Sequence, residues 1–317
     1  MARSKKRKKR ILLKIFIVLL VLVALAGFGW YQAVGVIYTR LNYVSVESVK
    51  DEEMEADNVT NILLIGNDSR SGGEDGRSDA MILVSISDSQ KKIHMTSLLR
   101  DMYVEIPGYK NNRLNAAYAY GGAELLMETI EKNFDIEVNR YVLVNFQAFA
   151  NLIDAVGGVE LEVTSEEIEL INAYLVEYNI LENRPEGTDY LDNVQGGLIR
   201  LNGPQTLAFS RNRYIGSDFA RTERQRKILE AVMKQLPESL LQNTAELMDG
   251  ILPNLTTNLT QKELFRLSLD AAKLFSYELV QGSIPIEGSY QNASIRGMSV
   301  LEVDFEANKE YIQSNIY

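Results

Sequence analysis

Two groups of residues in this sequence have the types and spacing to handle phosphate. The first is Gly66-Asn67-Asp68-Ser69-Arg70-Ser71-Gly72-Gly73-Glu74-Asp75-Gly76-Arg77-Ser78-Asp79, in which acids and arginines alternate among glycines. Glycine lets backbone amides approach an anion closely, arginine pairs with phosphate through parallel N–H donors, and aspartate oxygens suit magnesium. The second lies in residues 196–227, which hold seven basic residues and two acids. Here Arg211 and Arg213 precede a helix signal, and Arg221 and Gln225 stand one turn apart with Arg224 beside them. An isolated run of this kind would be a solvated basic helix face. This one is arginine-rich rather than lysine-rich, and Arg70, Arg77, Arg100 and Arg113 fall at the ends of candidate strands, where open α/β sheets bind ligands. So many guanidinium groups would repel one another unless carboxylates or a polyanion sat among them. A pyrophosphate with a magnesium ion would meet that demand.

The elements that must position these residues follow from periodicity. Strands are predicted at 61–66, 80–87, 92–98, 103–106, 141–146, 159–163, 277–285 and 299–304. Helices are predicted at 115–134, 147–156, 165–182, 203–212, 219–236, 238–249, 260–275 and 305–315. Strands and helices interleave, which predicts an α/β domain with a mixed central sheet flanked by helices. Gly157-Gly158 stops the helix before it, and Ser217 or Asp218 is placed to cap the helix that carries Arg221.

Charge and hydropathy set the address. The chain of 317 residues has a net charge of -10, but residues 1–10 carry seven Lys or Arg and no acid. Residues 15–317 carry a balance of -18, which argues against nucleic acid as a partner. Residues 11–31 are apolar apart from Lys14 and two glycines, about the length of a membrane helix, with Trp30 and Tyr31 where an aromatic belt would fall. The positive-inside rule puts the basic tip in the cytoplasm and the body outside as a single-pass protein. A cleaved signal peptide is the alternative, with Ala24-Leu25-Ala26 as its site. Residues 32–58, acidic from 47 to 57, read as an extracellular stalk. There is no cysteine, so thiolate chemistry and disulfides are excluded, and the lone His94 reads as a structural strand residue.

Six segments, in order, resemble the LytR-CpsA-Psr family. They are Asn61 to Arg70, Gly76-Arg77-Ser78-Asp79, Leu99-Arg100-Asp101-Met102-Tyr103, Arg113 to Gly122, Asp154-Ala155-Val156-Gly157-Gly158, and Ser210-Arg211-Asn212-Arg213 with Arg224-Gln225. The likeness covers about residues 59–237, the expected catalytic core, with residues 238–317 completing the domain. It implies a membrane-anchored phosphotransferase of Gram-positive-type envelopes. Such an enzyme moves an anionic glycopolymer, such as wall teichoic acid or capsular polysaccharide, from undecaprenyl pyrophosphate to a peptidoglycan hydroxyl, on muramic acid. By this pattern Asp68 and Asp79 hold Mg2+ (or Mn2+), and Arg77 and Arg100 act with them. Arg70, Arg113, Arg211, Arg213, Arg221 and Gln225 bind the pyrophosphate. Arg113 stands where the family often has lysine, and Leu99 where many members have proline. The helices at 115–134 and 147–156 would line a tunnel for the polyprenyl chain, although an ordinary core is the default reading of an apolar helix face. Asp68, Asp79 and Asp101 are the candidates for taking the acceptor's proton. A magnesium-dependent lipid-pyrophosphate hydrolase would use the same residues, and a non-enzymatic envelope regulator would need only the outward-facing domain.

Overall fold

The computed structural model describes residues 27–49, 54–56, 58–67, 78–192, 195–212, 215–216, 218–242 and 252–317. The N-terminal half contains residues 27–38 (α1), Asn42–Tyr43 (β1), Glu55–Ala56 (β2), Val59–Asn67 (β3), Ser78–Ser87 (β4) and Lys92–Leu98 (β5). Next come Tyr103–Val104 (β6), Asn112–Arg113 (β7), Leu114–Phe134 (α2), Arg140–Asn145 (β8), Phe146–Ala155 (α3) and Val159–Val163 (β9). Then follow Ser165–Leu181 (α4), Gly197–Leu201 (β10), Gly203–Arg211 (α5) and Asp218–Gln242 (α6). The chain closes with Leu255–Thr257 (β11), Gln261–Leu274 (α7), Glu278–Ile284 (β12), Tyr290–Ile295 (β13), Met298–Val303 (β14) and Phe305–Asn315 (α8).

The central sheet is mixed and runs β1-β11-β8-β3-β4-β5-β12, with β2 beside β3. β3 is antiparallel to β4 and parallel to β8. The apolar runs of β3, β4 and β8 are buried on both faces, and alternation sends successive residues to different partners. Leu63, Ile65, Met81, Leu83, Tyr141 and Leu143 join Leu126, Ile130 and Phe134 of α2 and Ile312 of α8 in one core. A second apolar cluster joins α3, α4, α5 and α6 to the antiparallel pair β9–β10 through Ile153, Ile168, Leu175, Leu201, Phe209 and Ile228. Within α2 the helix breaks at Gly121 and Gly122, and the Gly122 backbone (φ 64, ψ -155) is one that only glycine adopts without strain.

Several sequence expectations need correction. The described part of the supposed stalk belongs to the domain: β1 pairs with β11, and Val34, Val46, Val49 and Met54 are buried. These scattered apolar side chains pack into the domain and so override the acids around them. Residues 219–236 and the start of 238–249 form one helix, α6, so the boundary at 237/238 falls inside an element. The C-terminal region supplies β11 and β12 to the main sheet, and β12 runs parallel to β5. β10 and β13 lie where no strand was predicted; β10 pairs with β9 and β13 with β14, so each takes its structure from a partner. The apolar run of 11–26 lies outside the described residues, and among those described no helix is long and apolar enough to cross a membrane. His94 is a buried β5 residue, as expected, and burial pushes its imidazole pKa down.

Candidate active site

The strand register assembles the centre of the site. Ile82 of β4 pairs with Ser97 of β5 in antiparallel fashion, so three residues back from Ile82 and three on from Ser97 the register brings Asp79 opposite Arg100. The Arg100 Nη1 donates to Asp79 Oδ1 at 2.8 Å, and its Nε lies 3.4 Å from Asp101 Oδ2. Asp101 in turn accepts from Arg113 Nη1 at 3.3 Å. Asp218, the first residue of α6, lies 3.8 Å from Arg100 Nη2 and 2.9 Å from Arg221 Nη1. An acid in a helix's first turn is also favoured by the helix dipole. Burial works against the charged form of Arg100, but Asp101, Asp79 and Asp218 outweigh it and hold its pKa above the ordinary arginine value. The carboxylates that the sequence argument required are therefore in place between the arginines.

The loop bearing Arg100 is held by distant parts of the chain. Leu99 N donates to Ile284 O at 2.9 Å, and Leu301 N to Asp101 O at 2.8 Å. Asn115 N reaches Arg100 O at 3.2 Å. Residues 278–303, which carried no recognisable motif, thus fix the backbone on either side of the central arginine.

Arg211 approaches from the other side. Asn202 and Gln205 form a capping box at the start of α5, with Pro204 in its first turn. The Gly203 amide donates to Asp154 Oδ1 at 2.7 Å, and a Cβ on Gly203 would stand 2.2 Å from Ala150 O. This close seat of α5 on α3 explains the Asp154 motif as a structural clamp. At the far end of α5, Arg211 lies over the Phe146 ring (4.3 Å to the centroid) and donates to Tyr174 Oη at 2.8 Å. Among the described residues Arg211 meets no carboxylate, and its side chain borders the cavity described below.

Arg224 has another task. It is buried, donates to Glu167 Oε1 at 2.8 Å, and caps the carbonyls of Asn212 and Ile215 at 3.0 and 2.6 Å. It ties the segment after Arg211 to α6 and α4. Arg226 is also buried, donating to Ser97 Oγ at 2.7 Å. The basic run on α6 is therefore no solvated face.

Between these groups lies a cavity of about 170 Å³. Its walls are apolar: Leu64 and Ile82 from the sheet, Phe149 and Leu152 from α3, Leu229 and Val232 from α6. Asp79, Arg211, Arg221 and Gln225 also line it. The buried Gln225 Oε1 has no hydrogen-bond partner among the described residues, a cost that a polar ligand would remove. Of the two helices expected to line a tunnel, α3 contributes to the cavity wall, whereas α2 packs against the opposite face of the sheet.

Of the site residues named from sequence, Asp79, Arg100, Arg113, Arg211, Arg221 and Gln225 are described. Arg113 reaches the group only through Asp101 and does not line the cavity. Asp68, Arg70, Arg77 and Arg213 lie outside the described residues. Among those described, no group of three or more His, Cys, Asp or Glu could hold a metal ion. Magnesium, however, commonly takes one or two carboxylates together with phosphate and water oxygens, and Asp79 offers such a ligand beside the cavity. Sequence reasoning missed Phe146 and Tyr174, which come from remote elements. It read Asp218 only as a cap, although its spacing from Arg221 fits an ion pair.

The chain belongs to the LytR_cpsA_psr family, whose model matches residues 35–314. That range takes in both the supposed stalk and the C-terminal strands. It is 34% identical over 280 residues to the polyisoprenyl-teichoic acid–peptidoglycan teichoic acid transferase TagU of Enterococcus faecalis (strain ATCC 700802 / V583), covering 84% of this chain and 85% of the relative. The protein of the same description from Bacillus cereus (strain AH820) is 32% identical, with coverage of 81% and 82%. Among solved structures, TagT bound to LI-WTA superposes with a TM-score of 0.65 at 26% identity, covering 86% of this chain and 99% of that one.

Proposed function

We propose that this protein is an extracytoplasmic, membrane-anchored phosphotransferase that moves a glycopolymer from a polyprenyl-pyrophosphate carrier to a peptidoglycan hydroxyl, on muramic acid. The observation that carries this reading is an apolar cavity that has arginines and an aspartate in its wall. An acyl-like chain fits the first part and a pyrophosphate the second. The names of the E. faecalis and B. cereus relatives support a teichoic acid as the polymer and a polyisoprenyl donor.

In this reading Leu64, Ile82, Phe149 and Val232 exclude water around the polyprenyl chain. Arg211 and Arg221 bind the pyrophosphate, and Arg213 joins them. Asp79 and Asp101 hold the Arg100 guanidinium in orientation, so that it meets the charge growing on the leaving phosphate without reorganising. The acceptor oxygen forms a bond to the glycan-bearing phosphorus as the bond to polyprenyl phosphate breaks. A carboxylate of the group Asp68, Asp79 and Asp101 takes the hydroxyl proton. Asp68 and Asp79 would hold magnesium, which when bound supplies further neutralisation of phosphate charge.

Arg100→Ala should lower transfer by at least about 100-fold, the scale of losing one preorganised donor to a developing anion. The assay follows label from a polyprenyl-pyrophosphate-glycan donor into peptidoglycan. Full transfer by a folded variant would refute the assignment. Label recovered only in soluble product from the unaltered protein would favour hydrolysis instead.

A further inference from the structure

We propose that α1 and α7 together form a face that rests on the lipid bilayer, so that the domain sits directly on the membrane at the end of the sheet opposite the arginine site. α7 is a 14-residue helix with a capping box, yet none of its residues is buried. A surface helix of a globular domain ordinarily buries an apolar stripe. α1 covers α7 only in part: Tyr31 packs edge-on against Phe265 (5.3 Å), Trp30 Nε1 donates to Ser268 Oγ at 3.0 Å, and Gln261 Nε2 donates to Tyr31 O at 3.2 Å. These contacts make the two helices antiparallel, since Trp30 meets the later part of α7 and Tyr31 its start. The N-terminal end of α1 therefore lies toward Leu269. Phe28, Trp30 and Leu269 are 60%, 50% and 60% exposed there.

The occupant is set by what precedes. The chain runs back from α1 directly into residues 11–26, which are apolar but for Lys14, and then into seven Lys or Arg within residues 1–10. Trp and Phe beside such a run suit the boundary between headgroups and acyl chains. The inference rests on reading 11–26 as a membrane segment, and it adds that a helix more than two hundred residues later touches the same bilayer.

This face fixes the orientation of the site. Lys273 of α7 pairs with Asp88 just past the end of β4, whereas Asp79 stands near the start of β4. Nine residue steps along the chain separate them, about 30 Å. The pyrophosphate must then leave the headgroup plane to reach Arg100 and Arg221. The cavity wall from Gly66 to Leu64 runs back along β3 toward the α7 end, the direction a prenyl chain would need.

Trp30 is the only tryptophan, which supplies the test. The full chain would be placed in vesicles of phosphatidylcholine with or without bromine on the acyl chains. Leu269→Trp in a Trp30→Phe background should lose emission to the brominated lipid and resist acrylamide. Tyr109→Trp in the same background, on the β6–β7 turn beside Arg113, should do neither. Emission from Leu269→Trp that ignores brominated lipid while unaltered Trp30 responds would overturn the bilayer face and leave the anchor standing. Equal quenching of both engineered positions would also overturn it. An unaltered Trp30 that is itself insensitive would remove the membrane segment and this inference together, without touching the arginine site.

Discussion

Leu63, Ile65, Met81, Leu83, Tyr141 and Leu143 face α2 and α8 and are at most 4% exposed. Leu64, Gly66, Ala80 and Val144, their neighbours along the same strands, face a cavity beneath α3, α5 and α6. The two faces of β3, β4 and β8 are thus made of similar side chains and differ in what covers them. α2 brings Leu126, Ile130 and Phe134, which fill the space. α6 brings Ile228 and Val232 but also Arg221 and Gln225, whose polar ends cannot be packed dry against a sheet. The cavity, about 170 Å³, is partly open to solvent, as a cleft that admits a ligand must be. An apolar space of that size, lined partly by arginines, is better explained by a ligand than by poor packing.

Three experiments would break or sharpen the contrast. The largest effect belongs to the filled face: Leu83→Ala should destabilise by about 2–5 kcal/mol in chemical denaturation, whereas Leu64→Ala should cost less than about 1 kcal/mol. Equal losses would mean that both faces are ordinary core. Next, Val144→Phe should fill the cavity and weaken binding of a polyprenyl pyrophosphate about tenfold, near 1.4 kcal/mol, while the unfolding midpoint barely moves. Unchanged affinity would move the prenyl chain elsewhere.

The smallest effect concerns the end of the sheet, where Arg140 at the start of β8 meets Glu263 of α7 at 2.7 Å. Burial opposes ionisation of Glu263, but hydrogen bonds from Arg140 and Thr260 outweigh it and hold the carboxyl below its usual value. Its folded pKa is therefore the lower one. The stabilisation is complete above the unfolded pKa of about 4.3 and fades as pH falls from there through the folded value. Glu263→Gln should remove that part of the acid sensitivity, on the order of 1 kcal/mol, in unfolding curves taken between about pH 3 and pH 6. An unchanged pH slope would show that the ion pair does not hold α7 to the sheet.

The strands and helices nearest the site were readable because their apolar spacing is strong. β5 was predicted at 92–98 and stands at Lys92–Leu98, and the helix predicted at 115–134 spans Leu114–Phe134. β1, β2, β7 and β11, of two or three residues each, escaped because so short a strand carries no period and exists only through its partner. Among the site residues, Asp79 and Arg100 were recognisable from type and local motif. The cation–π seat of Arg211 on Phe146 was not, since the two residues are 65 positions apart and neither neighbourhood hints at the other.

By itself the sequence determined the chemistry on offer: arginines and aspartates in fixed short-range order, an acidic body behind a basic and apolar N-terminus, and no thiol. It also determined which strands would be buried, because hydrophobic period is a local property. Only the tertiary structure decided which of those arginines serve the cavity and which serve the scaffold. Arg221 and Arg224 stand three residues apart on one helix, yet the first lines the cavity and the second is locked to Glu167 and two carbonyls. The reason is geometric. Three residues turn a helix by about 300°, so the two arginines start about 60° apart on nearly one face, and what parts them is their surroundings, which come from chain segments far away.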